Sequence, residues 1–575
     1  MGICNFNLIK ISAACFVVLP FLFAVPSIFQ SQPNGPHIKG LAKSRDFQVI
    51  DDKVDPPEPD SYAHTFDKAK DKLLGGLLSP GFSQSSCLSR YQSTLYRKTS
   101  PHKPSPDLIS KLRNYESLHK QCGPHTESYN ATLNYLHRDQ TIPSNDTCRY
   151  VVHVSISVSG VGNRMLSLLS SFLFALITNR VLLVDEGEDI SPLLCEPFPD
   201  TTWALPPDFP LRNQFEMFNP NYSHCYGNMI RNDTIELSMG DSPPPFAYLN
   251  LVHDYNQHDK RFFCDRDQNN MKKVPWLLVR SSQYFIPSLF LIPSFEKELG
   301  KMFPKKETVF HHLGRYLIHP SNQVWRIITS YYETYLAKSD ERIGIQIRDF
   351  NNTKLPFQYF VDQVAKYYLP HLASHETISD LTTPFTYMMD RMLDCSMQEN
   401  LLPKVRTDAQ SSALNATRST KTISVLVTSL SSRYFEKLRE MYQDNPTITG
   451  DTVTVLQPSH EEFQQLLDAK HNMKALAEIY LLSLMDKLIT SPKSTFGYVA
   501  HGLGGLRPWI LRNPQREKVY DSPCLQSTTM EPCFHFPPFY DCEMKTEIDT
   551  GARVQYVRHC EDISWGIKLF DDREL

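Results

Sequence analysis

The stretch from Tyr150 to Asp185 constrains this chain more than any other. Tyr150 to Val158 reads YVVHVSISV, a strand, and Ser159 to Arg164 (SGVGNR) is a tight turn. Met165 to Thr178 is an apolar helix, and Arg180 to Asp185 (RVLLVD) is a second strand. A strand, helix and strand in succession form a crossover, so the two strands are expected to pair in parallel. Parallel sheets carry helices on both faces, which places the chain in the α/β class. Glycines between strand and helix also let backbone N–H groups approach an anion at the helix start. Gly160, Gly162, Asn163 and Arg164 are therefore candidates for a cleft loop. Tight packing alone is the other use of such a turn.

The same grammar returns further on. Glu341 to Phe350 reads ERIGIQIRDF, with Ile343, Ile345 and Ile347 alternating with Gly344, Gln346 and Arg348. That is the period of a strand. Arg348 at its C-terminal end stands where α/β sheets bind ligands, and its planar fork suits a phosphate or carboxylate. An ion pair with Asp349 or Asp362 is the alternative. Thr422 to Thr428 (strand), Arg433 to Tyr442 (helix), Asp451 to Leu456 (strand), Asn472 to Met485 (helix) and Asp486 to Thr490 (short strand) make a second α/β half. Ser494, Thr495 and Phe496 then open a helix that Gly502 to Gly505 interrupts. A helix start there offers hydroxyls and backbone donors to a phosphate, or a plain N-cap. The expectation is two Rossmann-like domains facing a cleft, an arrangement suited to a sugar nucleotide.

The ends of the chain speak to its compartment. Ile11 to Phe29 is an apolar run of 19 residues, long enough to span a bilayer, with Pro20 and Pro26 inside it. We read residues 1–10 as a cytosolic tail, 11–29 as a signal anchor and the polar, proline-containing 30–70 as a stem. The body divides into an N-terminal domain over 71–340, a second over 341–515 and a disulfide-rich segment over 516–575 that packs back on the body. Sequons at Asn130, Asn145, Asn221, Asn232, Asn351 and Asn415 agree with a lumenal body. So do the cysteines, eleven of the thirteen lying beyond the anchor without a CxxC pair. Eleven is odd, so at least one thiol is free or pairs between chains, as in a homodimer. The cluster from Cys524 to Cys560 reads as a stapled segment.

Other motifs carry less. Cys264-Asp265-Arg266-Asp267 holds a D-x-D, a spacing that can hold a divalent ion, but the intervening Arg266 favours an ion pair. His311 and His312 have no ligand at metal spacing nearby, so we assign no metal. No G-x-S-x-G or P-loop occurs, and a net charge of -4 without a basic run gives no footprint for nucleic acid.

With these residues in view the chain resembles the plant cell-wall, xyloglucan-type fucosyltransferases. The resemblance runs from about Asp71 to Lys568 through DKLLGGLLSPGF, SGVGNRMLSL, LVHDYNQHDKRFFC, IGIQIR, KALAEIYLLSLMDKLITSPKSTFGYVAHGLGGLRPWIL and VRHCEDISWGIKL. It implies a type II Golgi membrane protein with the glycosyltransferase B fold. Such a protein transfers L-fucose from GDP-fucose to a galactose of xyloglucan or arabinogalactan with inversion and without a cofactor or metal. It implies that Arg348 holds the donor diphosphate, with Gln346 on the same strand face. Ser494, Thr495 and Phe496 fall in the donor motif, Gly160 to Arg164 in the cleft loop, and Asp562 in a C-terminal motif of the catalytic set. One position departs from the pattern. The family leads us to expect a carboxylate just before Tyr284-Phe285-Ile286-Pro287 on the acceptor side, where this chain has Ser282-Gln283. A serine cannot replace a carboxylate as a base, so a glycan-binding protein with little turnover is the alternative. Residues 366–391 read as an insertion, either an outer loop or a piece of the acceptor side.

Overall fold

The computed structural model describes residues 71–138, 148–185, 187–234, 243–348, 385–406, 420–512 and 522–571. Strands β1 (Tyr150–Val154), β2 (Val181–Asp185), β3 (Phe246–Asn250) and β4 (Trp276–Arg280) form a wholly parallel sheet in the order β2-β1-β4-β3. Every residue of β1 is buried, as expected of a strand covered on both faces. The strand stops at Val154, earlier than its pattern suggested. Arg164 turns back and donates to the carbonyls of Ser157 and Ser159, which fixes that stretch as a loop. Helix α1 (Val161–Ile177) follows and is buried almost throughout.

After helix α2 (Val309–Leu317) the chain enters the second sheet. Its strands are β5 (Glu341–Gln346), β6 (Thr422–Thr428), β7 (Thr452–Leu456), β8 (Lys487–Thr490), β9 (Trp509–Leu511) and β10 (Cys524–Gln526), in the order β10-β9-β8-β5-β6-β7. All pairs are parallel except β9 with β10. The alternation in β5 is obeyed. Ile343, Ile345 and Ile347 enter an outer core with helix α3 (Phe385–Gln398). Gly344 lies on the other face, where a Cβ would come within 2.9 Å of the Leu488, Leu482 and Met485 side chains. Gln346 and Arg348 continue that inner row. Helices α4 (Ala469–Leu482) and α5 (Thr495–Gly504) join α1 and α2 in one apolar core that runs from sheet to sheet. Gly505 ends α5 at φ 68, a left-handed cap that suits glycine.

The structure revises several sequence readings. β3 was not anticipated, because five fully buried residues show no alternation. Part of the expected insertion, residues 385–391, belongs to α3, whose Met388, Met389 and Met392 are buried. It is not an outer loop there; residues 351–384 lie outside the described residues. Nor is the C-terminal cluster stapled only to itself. Cys533 pairs with Cys560, but Cys524 pairs with Cys395 and Cys542 with Cys264. One bridge ties the segment to α3 and the other to the first half of the chain. Cys87–Cys195 and Cys122–Cys148 complete the set, and the odd thiol is Cys225, fully buried near Asp259. Another chain could reach it only by opening this core. Among the described residues no helix is long and apolar enough to cross a membrane, and the apolar run over 11–29 lies outside them.

A buried carboxyl clamps the C-terminal segment. Glu531 accepts from the Tyr284 hydroxyl at 2.6 Å and from the Phe310 amide at 2.7 Å. Burial first, then nearby Glu307, push its pKa up from 4.5 to about 8, against the hydrogen bonds and Lys568. The unfolded carboxyl ionises near 4.5, so the stability it contributes is full below that pH and is lost as pH rises to about 8. Glu531→Gln should therefore flatten the fall of the thermal midpoint between pH 5 and 8. Parallel wild-type and variant curves would show that Glu531 is not the titrating group.

Candidate active site

The C-terminal ends of β1, β5, β6 and β8 converge on a cavity of about 230 Å³. Outside the carboxyl ends of parallel strands is where α/β folds bind ligands. Two helices begin at its wall. α1 starts behind Gly160, whose backbone caps it without a side chain. α5 starts behind Ser494, whose Oγ accepts from the Gly497 amide at 3.4 Å. Neither has an acidic residue in its first turn, so both present uncompensated N–H groups and partial positive charge.

The two starts touch. A Cβ on Gly162 would lie 2.8 Å from the Phe496 amide nitrogen and from the Thr495 carbonyl carbon. Only glycine lets the backbones approach so closely. Arg348 lies beside this seam just past β5. Its amide donates to Ser491 Oγ at 2.8 Å and its guanidinium to Gln464 Oε1 at 3.3 Å. Burial pulls its pKa below the ordinary value, yet a guanidinium stays charged near neutrality. Lys493 adds a cation one residue before the Ser494 cap. Its backbone is held at φ 59 and its amide donates to Asp562 at 2.7 Å. Left-handed backbone in a lysine costs on the order of 1 kcal/mol or more.

More of the wall comes from the loop after β7 and from α4. Glu461 holds Lys474 at 2.6 Å and lies 3.6 Å from His471. Burial works to raise the Glu461 pKa, but these partners bring it below the ordinary value. Glu478 accepts from the Ser459 hydroxyl and amide, and burial raises its pKa to about 7. The cavity thus combines cations and helix-start amides with two carboxylates.

Of the residues expected at the site, Gly160, Gly162, Asn163, Gln346, Arg348, Thr495 and Phe496 line the cavity. Three stand behind the wall. Ser494 is the buried cap of α5. Arg164 is buried and pairs with Asp189 at 2.8 Å, and Asp189 also accepts from Asn472 at 3.0 Å. It shapes the loop and is turned from the ligand space. Asp562, expected in the catalytic set, accepts from Lys493 and from the Tyr498 hydroxyl at 2.5 Å. Ser282 is half-buried after β4, bonded to Gln283, and does not line the cavity. Asp349 and Asp362, the ion-pair alternatives for Arg348, lie outside the described residues, as do Asn145, Asn351 and Asn415. Asn130, Asn221 and Asn232 are exposed.

The D-x-D carboxylates are engaged elsewhere. Asp267 accepts from Tyr226 at 2.8 Å and pairs with Arg261 at 3.0 Å, and Asp265 accepts from the Ser294 amide. His311 bridges Ser100 and the Gly502 carbonyl. Cys533, Cys560 and Asp562 stand close together, but the two sulfurs are joined in a disulfide and offer no thiolate.

Sequence reading missed Lys493, Lys474, Glu461, Glu478 and His535, all of which line the cavity. Lys493 had a signal, a cation directly before a predicted helix cap. His535 had none, since it reaches the site through the fold of the C-terminal segment.

Two parallel α/β sheets around an anion-receiving cleft define the architecture of a nucleotide-sugar glycosyltransferase. The model of the family described as xyloglucan fucosyltransferase matches residues 46–369 and 374–543. The break between the two matched segments, residues 370–373, falls inside the stretch read as an insertion over 366–391. Galactoside 2-alpha-L-fucosyltransferase of Arabidopsis thaliana is 50% identical, covering 98% of this chain and 93% of its own. The Pisum sativum protein of the same name is 52% identical over 87% of this chain and 82% of its own. A solved mutant of Arabidopsis thaliana FUT1 in complex with GDP superposes with a TM-score of 0.74 at 52% identity, covering 87% of this chain and all of that one. The chain belongs to the xyloglucan fucosyltransferase family and is a GDP-fucose-dependent glycosyltransferase.

Gly162→Ala tests the seam. The added methyl must push the two helix starts apart, and misplacement of about 1 Å can cost on the order of a hundredfold in rate. GDP affinity and transfer should both fall while the circular-dichroism spectrum is kept. Wild-type affinity in this variant would show that the close approach is incidental.

Proposed function

We propose that this protein transfers L-fucose from GDP-fucose to a galactose hydroxyl of a plant cell-wall glycan, xyloglucan or arabinogalactan, with inversion and without a metal. The observation that carries the reading is the meeting of two helix starts at Gly162 beside Arg348 and Lys493. As the bond from fucose C1 to the diphosphate oxygen breaks, negative charge grows on GDP. Backbone amides, a guanidinium and an ammonium stabilise it there, the task a metal performs elsewhere. Inversion follows when the acceptor oxygen attacks C1 from the face opposite the departing diphosphate.

The compartment belongs to the same proposal. An anchor over 11–29, a stem over 30–70 and a Golgi-lumenal body account for the sequons and for the disulfides. Such bridges persist in an oxidising compartment.

Incubation with GDP-fucose and a panel of galactosylated wall oligosaccharides tests the reading. Fucosylated product is expected from at least one acceptor. Glycan binding without transfer to any of them would favour the non-catalytic alternative. Arg348→Ala should weaken GDP binding and lower transfer by about a hundredfold or more. Unchanged GDP affinity in calorimetry would remove Arg348 from the donor site.

A further inference from the structure

We propose that His535 is the general base that takes the proton of the acceptor hydroxyl, held for that task by Tyr498 and Asp562. The proposal rests on the fucosyl-transfer reading above. His535 lines the cavity together with Arg348, Lys493 and Phe496. Its Nε2 lies 3.2 Å from the Tyr498 hydroxyl, and Tyr498 lies 2.5 Å from Asp562 Oδ2.

These contacts fix the tautomer. The Tyr498 hydroxyl donates its single proton to Asp562. The Tyr498 oxygen then accepts from His535, which places the imidazole proton on Nε2. Nδ1 is left with its lone pair and has no hydrogen-bond partner among the described residues. The side chain is half-buried and belongs to the cavity lining.

The two carboxylates at the cavity are already engaged. Glu461 is held by Lys474 and His471, and Glu478 accepts twice from Ser459. Ser282, where the family led us to expect a carboxylate, does not line the cavity.

Burial lowers the His535 pKa to about 4, with Lys493 adding to the fall and Asp562 opposing it. The imidazole is therefore neutral at neutral pH, its lone pair unprotonated but less basic than that of a free imidazole. A bound diphosphate brings negative charge beside it and offsets Lys493, which strengthens the base when the donor is present.

The step balances. The acceptor oxygen forms a bond to fucose C1, while the C1–O bond to the β-phosphate breaks and its electron pair leaves on GDP. The acceptor proton moves to Nδ1. The imidazolium keeps its Nε2 proton on Tyr498, two hydrogen bonds from the Asp562 charge, and releases the new proton to water after product leaves.

The test uses the purified full-length protein. His535→Gln keeps a side-chain N–H for Tyr498 and removes the basic lone pair. GDP affinity should stay within about twofold, while kcat falls about a hundredfold or more. His535→Ala should lose turnover similarly and regain part of it when imidazole is added. Tyr498→Phe, which keeps the ring and severs the relay, should lower kcat about tenfold with GDP affinity unchanged. Wild-type kcat in His535→Gln would overturn the proposal. So would a loss of GDP binding in that variant, which would make His535 a donor-site residue. Failure of the wild-type protein to transfer fucose to any acceptor would instead sink the transferase reading, and the base with it.

Discussion

The contact on which the site depends is the backbone approach at Gly162. Two helix starts of like partial charge are brought within van der Waals reach, with Thr495 and Phe496 against the first turn of α1. Left empty, such an arrangement is electrostatically unfavourable, since both ends carry the positive pole of their helices. Arg348 and Lys493 add full charges of the same sign to the same cavity. An anion removes the conflict. The cleft is thus built so that its least favourable feature without ligand becomes its attraction for an anion.

Holding that seam together falls to buried polar links. Arg164, Asp189 and Asn472 join the loop after β1 to α4, which belongs to the other half of the chain. Both members of the ion pair are buried, and removing one partner of such a pair costs about 3–5 kcal/mol. Asp562 performs a similar service on the other side by fixing the Lys493 backbone in its left-handed conformation. Glu531 ties Tyr284 and α2 to the C-terminal segment that delivers His535. These carboxylates position the cavity wall without belonging to it.

Much of the donor half was legible in the sequence. Alternation in β5 assigned the isoleucines to one face and Gly344, Gln346 and Arg348 to the other, and the structure keeps that division. The glycine turn between β1 and α1 announced a helix start with room for an approach. What approached was not legible, because the partner, α5, lies some three hundred residues further along. The second wall was hidden for a related reason. His471, Lys474 and Glu478 recur at helical spacing, a pattern equally suited to a solvated helix face. β3 carries no alternation, and the cysteine pairing that pins the C-terminal segment cannot be deduced from spacing alone.

The central claim is that the paired helix starts at Gly162 form the receptor for the donor diphosphate. A crystal structure of this protein with GDP bound tests it most directly. The account predicts diphosphate oxygens within hydrogen-bond distance of first-turn amides of α1 or α5, with the Arg348 guanidinium on the same group. A diphosphate seated away from both helix starts would contradict it.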